Sequence, residues 1–128
     1  MLSPLIAIVD DDERIRASLE NLIRSVGFRA RAFPSAQSFL ASPDLDTACL
    51  ILDVRMPRMS GVELREQLVS SPARVPIIFV TSHVDENVRV RALDAGAVAF
   101  MYKPFRDDDL LEAVDSALRR PEMDTTKV

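Results

Sequence analysis

A chain of 128 residues with 48% hydrophobic side chains is long enough to bury one core and too short for several domains. Sixteen Lys and Arg against twenty Asp and Glu leave a net charge of −4, which argues against the basic face of a nucleic-acid-binding domain. No run has the length of a membrane span, the opening residues lack the charged start of a secretory leader, and the lone Cys49 cannot close an internal disulfide; the expectation is a cytoplasmic protein without a membrane partner.

Residues 5–9 form a continuous apolar run, as in a strand, and Asp10, Asp11 and Asp12 follow at once. Ile15, Leu19, Leu22, Ile23 and Val26 then fall at helical spacing, with Asp12 as cap and Gly27 as stop. Residues 28–33 alternate like an edge strand with Arg29 and Arg31 toward water, and Pro34-Ser35 opens a short helix through Phe39 and Leu40. Residues 48–52 make a third apolar run, in which Cys49 reads as a small buried hydrophobe, and deliver Asp53.

Pro57 holds Met56 extended, and Ser60 with Glu63 has capping-box spacing, so a loop separates Asp53 from a third helix carrying Val62, Leu64, Leu68 and Val69 up to Pro72. Residues 76–80 are a fourth strand ending on Thr81-Ser82-His83. Asp85 caps a helix with Val88, Ala92 and Leu93, which Gly96 ends. Residues 97–102 are the fifth strand, Lys103-Pro104 follows, and the last helix starts near Asp107 and buries Leu110, Leu111, Val114 and Leu118. Residues 1–120 thus read as one domain and 121–128 as a tail or the start of a linker.

Five strands alternating with five helices predict an α/β fold, an open parallel sheet covered on both faces. In such sheets ligands bind beyond the carboxyl ends of the strands, where the strand order reverses. Asp10 and Asp11 end the first strand, Asp53 the third, Thr81 the fourth and Lys103 the fifth, so all converge on one edge. Each alone has an ordinary reading: helix-start acids, a turn acid, a cap hydroxyl, a snorkelling surface cation. Their convergence is what points to a site. An acid at the end of a buried strand stays ionised only beside a cation. Lys103 is one of two lysines against fourteen arginines, the other being Lys127 in the tail. Three carboxylates with no His or Cys suit Mg²⁺ rather than Zn²⁺. With Lys103 offsetting phosphate charge and the Thr81 hydroxyl donating to it, the set points to phosphoryl transfer.

These residues resemble those of a response regulator receiver domain of bacterial two-component systems. The resemblance covers nearly the whole chain through Asp10-Asp11, Asp53-Val54-Arg55-Met56-Pro57 with Gly61, Thr81-Ser82, Ala95-Gly96-Ala97 and Lys103-Pro104-Phe105. It implies a flavodoxin-like or CheY-like sheet of order 2-1-3-4-5 with five helices, and Asp53 as phosphoacceptor from the phosphohistidine of a sensor histidine kinase. It further implies Mg²⁺ or Mn²⁺ on Asp11, Asp53 and the backbone carbonyl of Arg55, with Asp10 reached through water. Lys103 and Thr81 would sense the phosphoryl group, the bond before Pro104 would be cis, and Phe100 would turn inward when Thr81 moves. Arg55 and His83 lie where side chains influence phosphate lifetime.

The wording from Arg55 to Leu64 is similar to FixJ-like receivers, which usually precede a helix-turn-helix domain, so the expected output is transcription or a partner protein. The surface of the fourth helix, fifth strand and fifth helix would carry the switch and a phosphorylation-dependent homodimer. Tyr102 and Ala99 stand where these receivers often carry acids. The chain would catalyse only its own phosphorylation and dephosphorylation. Two other readings are a pseudo-receiver that binds partners without phosphorylation, and a Mg²⁺-dependent phosphatase with an aspartyl intermediate. Arg55 stands where the latter places a second acid.

Overall fold

The computed structural model describes residues 3–41, 47–53, 75–82, 85–94 and 96–119. These contain five strands, β1 (Leu5–Val9), β2 (Arg29–Phe33), β3 (Thr47–Asp53), β4 (Ile77–Thr81) and β5 (Ala99–Tyr102). They also contain four helices, α1 (Glu13–Ser25), α2 (Ala36–Ala41), α3 (Glu86–Asp94) and α4 (Asp107–Arg119). The helix predicted after Ser60 lies outside the described residues, as do Arg55, Met56, Pro57, Gly61, His83, Ala95 and the 121–128 tail. α3 and α4 are therefore the fourth and fifth helices of the sequence reading.

Every strand pair is parallel, and the order is β2-β1-β3-β4-β5, as the resemblance implied. Side chains on a strand alternate between faces, and in this sheet both faces are apolar. Ile6 and Ile8 of β1 point with Cys49, Ile51, Ile78 and Val80 toward Leu19 and Ile23 of α1 and Leu110, Val114 and Ala117 of α4. Ala7 and Val9 point the other way, with Leu50, Leu52, Ile77 and Phe79, into the layer of Phe39 from α2 and Ala92 from α3. That double burial explains why the central strands read as unbroken apolar runs. At about 1.5–3 kcal/mol for each large aliphatic side chain buried, the central strands fix the sheet's register.

The helix ends follow local chemistry. The Asp12 carboxylate accepts the Arg14 N–H at 2.9 Å to start α1, and Asp85 accepts the N–H groups of Asn87 at 3.1 Å and Val88 at 3.3 Å to start α3. Gly27 and Gly96 sit at φ of 97° and 104°, which a side chain disfavours, and so end the helices before them.

Several expected boundaries shift. β3 and β4 each include the polar residue expected just beyond them, Asp53 and Thr81. β5 begins at Ala99 because the N–H of Ala97 bonds to the carbonyl of Ala92 and so belongs to the preceding turn. Val26 is exposed because it is the cap of α1, where the helical repeat has ended. Leu93 is also exposed, since α3 packs through Ala92 and the partly buried Val88, and Leu93 lies a further 100° round. On α4 the fully buried line is Leu110, Val114 and Ala117, with Leu111 and Leu118 flanking it. Arg31 is exposed, its guanidinium 5.1 Å from the centre of the Phe33 ring, whereas Arg29 folds back to donate from Nε to the carbonyl of Ser3 at 2.7 Å.

Candidate functional site

The register of the sheet sets the site. Val9 pairs with Leu52, so Asp10, one residue on, comes beside Asp53; Asp53 pairs with Val80, and Thr81 pairs with Tyr102. Lys103 follows Tyr102, and its backbone N–H donates to the carbonyl of Thr81 at 2.7 Å. The Lys103-Pro104 bond is cis, as expected.

Every polar group of Asp10 is engaged. Its N–H donates to Phe33 O at 3.2 Å, its carbonyl accepts Arg16 Nη1 at 2.8 Å, Oδ1 accepts the Asp12 N–H at 2.9 Å, and Oδ2 accepts Lys103 Nζ at 2.8 Å. The same ammonium donates to Asp53 Oδ2 at 3.3 Å. Lys103 therefore bridges two buried carboxylates, Asp10 at 1% and Asp53 at 6% exposure. This is the cationic partner that a buried strand-end acid requires. Burial by itself lowers the Lys103 pKa, but the Asp10 hydrogen bond and the charges of Asp53 and Asp10 outweigh it, so the ammonium is held above its usual value.

Asp10, Asp11 and Asp53 each place a carboxylate oxygen within 4.8 Å of the others, with Asp11 exposed. Three negative charges against one ammonium leave an excess of two, and the donors are all hard oxygens, so the set fits a divalent cation such as Mg²⁺. Cys49 is not part of it: burial pushes its thiol up to about 12, and its side chain is within the core.

Thr81 is 2% exposed and lies on the α3 side of the sheet, together with Phe79, Phe100 and Tyr102. The Phe79 and Phe100 rings are 6.1 Å apart, and Phe100 meets Tyr102 edge to face at 5.6 Å. Phe100 is half-buried and so neither fully inside nor free of the core. The structure thus brings Asp10, Asp11, Asp53, Thr81 and Lys103 to one edge, with Phe100 on β5, the strand that Lys103 directly follows. Arg55 and His83 fall outside the described residues. The sequence reading missed two features: the direct ion pair from Lys103 to Asp10, and Arg16, whose only signal was a cation six residues beyond the first acid.

A five-stranded parallel sheet with this acid, hydroxyl and lysine edge defines a class of protein. The chain belongs to the response regulator receiver family, whose receiver domain matches residues 6–115. Receiver domains interact with histidine kinases and generally bind Mg²⁺ at an acidic pocket of this kind. Among its relatives, the chain is similar to the response regulator protein TmoT of Ectopseudomonas mendocina, 46% identical over 116 residues, covering 90% of this chain and 53% of that protein. It is also similar to the transcriptional regulatory protein FixJ of Bradyrhizobium diazoefficiens, 42% identical over 118 residues, covering 91% of this chain and 58% of that protein. A solved structure of FixJ-N superposes with a TM-score of 0.85 at 40% identity, covering 94% of this chain and 98% of that one. The chain spans little more than half the length of these two regulators. Among the described residues no helix is long and apolar enough to cross a membrane.

Proposed function

We propose that the chain accepts a phosphoryl group on Asp53 from the phosphohistidine of a sensor histidine kinase, and that the modification switches a surface controlling an output, transcription by analogy with the FixJ relative. The observation that carries this reading is Lys103 Nζ placed 2.8 Å from Asp10 Oδ2 and 3.3 Å from Asp53 Oδ2, beside the exposed carboxylate of Asp11. The proposed acceptor carboxylate is thereby paired with a cation at the sheet edge.

In the transfer, an Asp53 oxygen forms a bond to phosphorus while the phosphorus–nitrogen bond to the kinase imidazole breaks, and the leaving nitrogen takes its electron pair and then a proton from water. A Mg²⁺ held by Asp11 and Asp53, with Asp10 through water, would supply charge neutralisation for the transferring group. Lys103 then exchanges one carboxylate contact for a phosphoryl oxygen, and Thr81 donates its hydroxyl to another. The new group adds nearly two negative charges, which bias an existing equilibrium toward the state with Thr81 drawn in. Because Lys103 N–H is bonded to Thr81 O and Lys103 directly follows β5, the strand that carries Phe100, the movement is passed to β5 and its neighbours α3 and α4. That face, with exposed Val90 and Leu93, is the proposed surface for a partner or a second copy. Residues 1–120 would be the receiver domain and 121–128 a tail or the start of a linker.

The test is incubation with acetyl phosphate and Mg²⁺ followed by intact mass. A gain of one phosphate that is lost in Asp53→Asn and in EDTA is expected. An unmodified mass, under conditions that label another receiver, would overturn the acceptor role.

A further inference from the structure

Arg16 lies in the first turns of α1, where its own N–H makes the ordinary helical bond to Asp12 O at 3.0 Å. Its side chain turns back, and Nη1 donates to the carbonyl of Asp10 at 2.8 Å. That carbonyl belongs to the peptide unit joining Asp10 to Asp11. The unit is rigid and planar, so fixing its oxygen also fixes the Asp11 N–H and the position from which the Asp11 side chain departs.

Asp10 has independent anchors in Phe33, Asp12 and Lys103. Asp11 differs: it is exposed, and among the described residues its side chain makes no hydrogen bond. The peptide unit held by Arg16 is therefore the restraint next to it. We infer that Arg16 is a positioning residue for the divalent cation, holding the Asp10-Asp11 peptide so that the Asp11 carboxylate stays beside those of Asp10 and Asp53. This inference rests on the cation site of the proposed function.

Electrostatics and positioning predict opposite signs here. Arg16 is a cation near a cation site, so its removal by charge alone would tighten metal binding. A positioning role requires that removal weaken it. Mn²⁺ serves as the probe, with affinity read from water-proton relaxation on the whole chain. Arg16→Met is expected to raise the Mn²⁺ dissociation constant about tenfold, the lower end of what loss of an outer-shell partner does to metal sites. Arg16→Lys, which keeps a cationic donor on a flexible stem, is expected to recover most of that loss. Arg16→Gln gives the same comparison with a neutral donor should the methionine variant not fold. In acetyl phosphate labelling, the Mg²⁺ concentration for half-maximal rate is expected to rise while the rate at saturating Mg²⁺ changes little.

A dissociation constant that is unchanged or lower in Arg16→Met, with the wild type binding, overturns the positioning role alone. Failure of the wild type to bind Mn²⁺, or no weakening in Asp11→Asn, overturns the cation site and the inference with it.

Discussion

Replacing Lys103 by methionine leaves two buried carboxylates facing one another without their cation. The two attractions, at 2.8 and 3.3 Å, are each worth about 5–6 kcal/mol at an effective dielectric near 20, before desolvation is subtracted. Most of that is offset by the cost of burying the charges. Truncating one partner of a buried pair typically destabilises by about 3–5 kcal/mol, and because Asp11 keeps one side of this site open to water we expect a value near 3. For a domain of this size that is a fall of roughly 10 °C in Tm. The assay is urea and thermal unfolding followed by far-UV circular dichroism, in EDTA and again with saturating Mg²⁺.

The cation should narrow the gap, because it neutralises the same carboxylates. The pH dependence has a definite sign as well: the folded-state pKa of Lys103 lies above its usual 10.5, so its stabilisation is complete below that value and is lost as pH rises through the folded pKa. Wild type and variant should differ by a constant amount across neutral pH and converge in strong alkali. A loss below about 1 kcal/mol in EDTA, the value of an exposed ion pair, with no response to Mg²⁺, would refute the argument that this lysine compensates buried charge.

Other outcomes follow from single contacts. The Tyr102 hydroxyl is buried and, among the described residues, without a hydrogen-bond partner, so Tyr102→Phe is expected to raise stability, by up to about 1 kcal/mol; a clear loss in urea unfolding would mean that the hydroxyl is satisfied. The thiol of Cys49, pushed up to about 12 and buried, should react with a disulfide reagent only as fast as the chain unfolds; rapid labelling of native protein would show that the third strand opens. Asp12→Ala removes the acceptor of the Arg14 N–H at 2.9 Å and should cost about 1 kcal/mol in the same unfolding assay without altering acetyl phosphate labelling; loss of labelling would give Asp12 a part in the site.

The sequence alone determined the strand and helix order, because a sheet buried on both faces forces its central strands to be apolar throughout, and Asp12, Gly27, Asp85 and Gly96 punctuate the helices by local backbone chemistry. It also told which side chains would meet, since parallel strands must bring their carboxyl ends to one edge, and Asp10, Asp11, Asp53, Thr81 and Lys103 stand at those ends. Strand boundaries were less legible, because whether Asp53 and Thr81 end a strand or follow it depends on ladder hydrogen bonds from neighbours distant in sequence. Burial on α3 and α4 was legible only in part: helical period marks a face, but which of Leu93, Ala92, Ala117 and Leu118 goes deepest depends on where the sheet lies.

Only the tertiary structure decided how Lys103 divides itself between Asp10 and Asp53, 93 and 50 residues away. It alone showed that Arg16 spends its guanidinium on the carbonyl between the two acids. The physical reason is the same in both cases. Residue type and periodicity say which element a side chain is on, whereas a bond of 2.8 Å depends on the register and packing of every element between its partners.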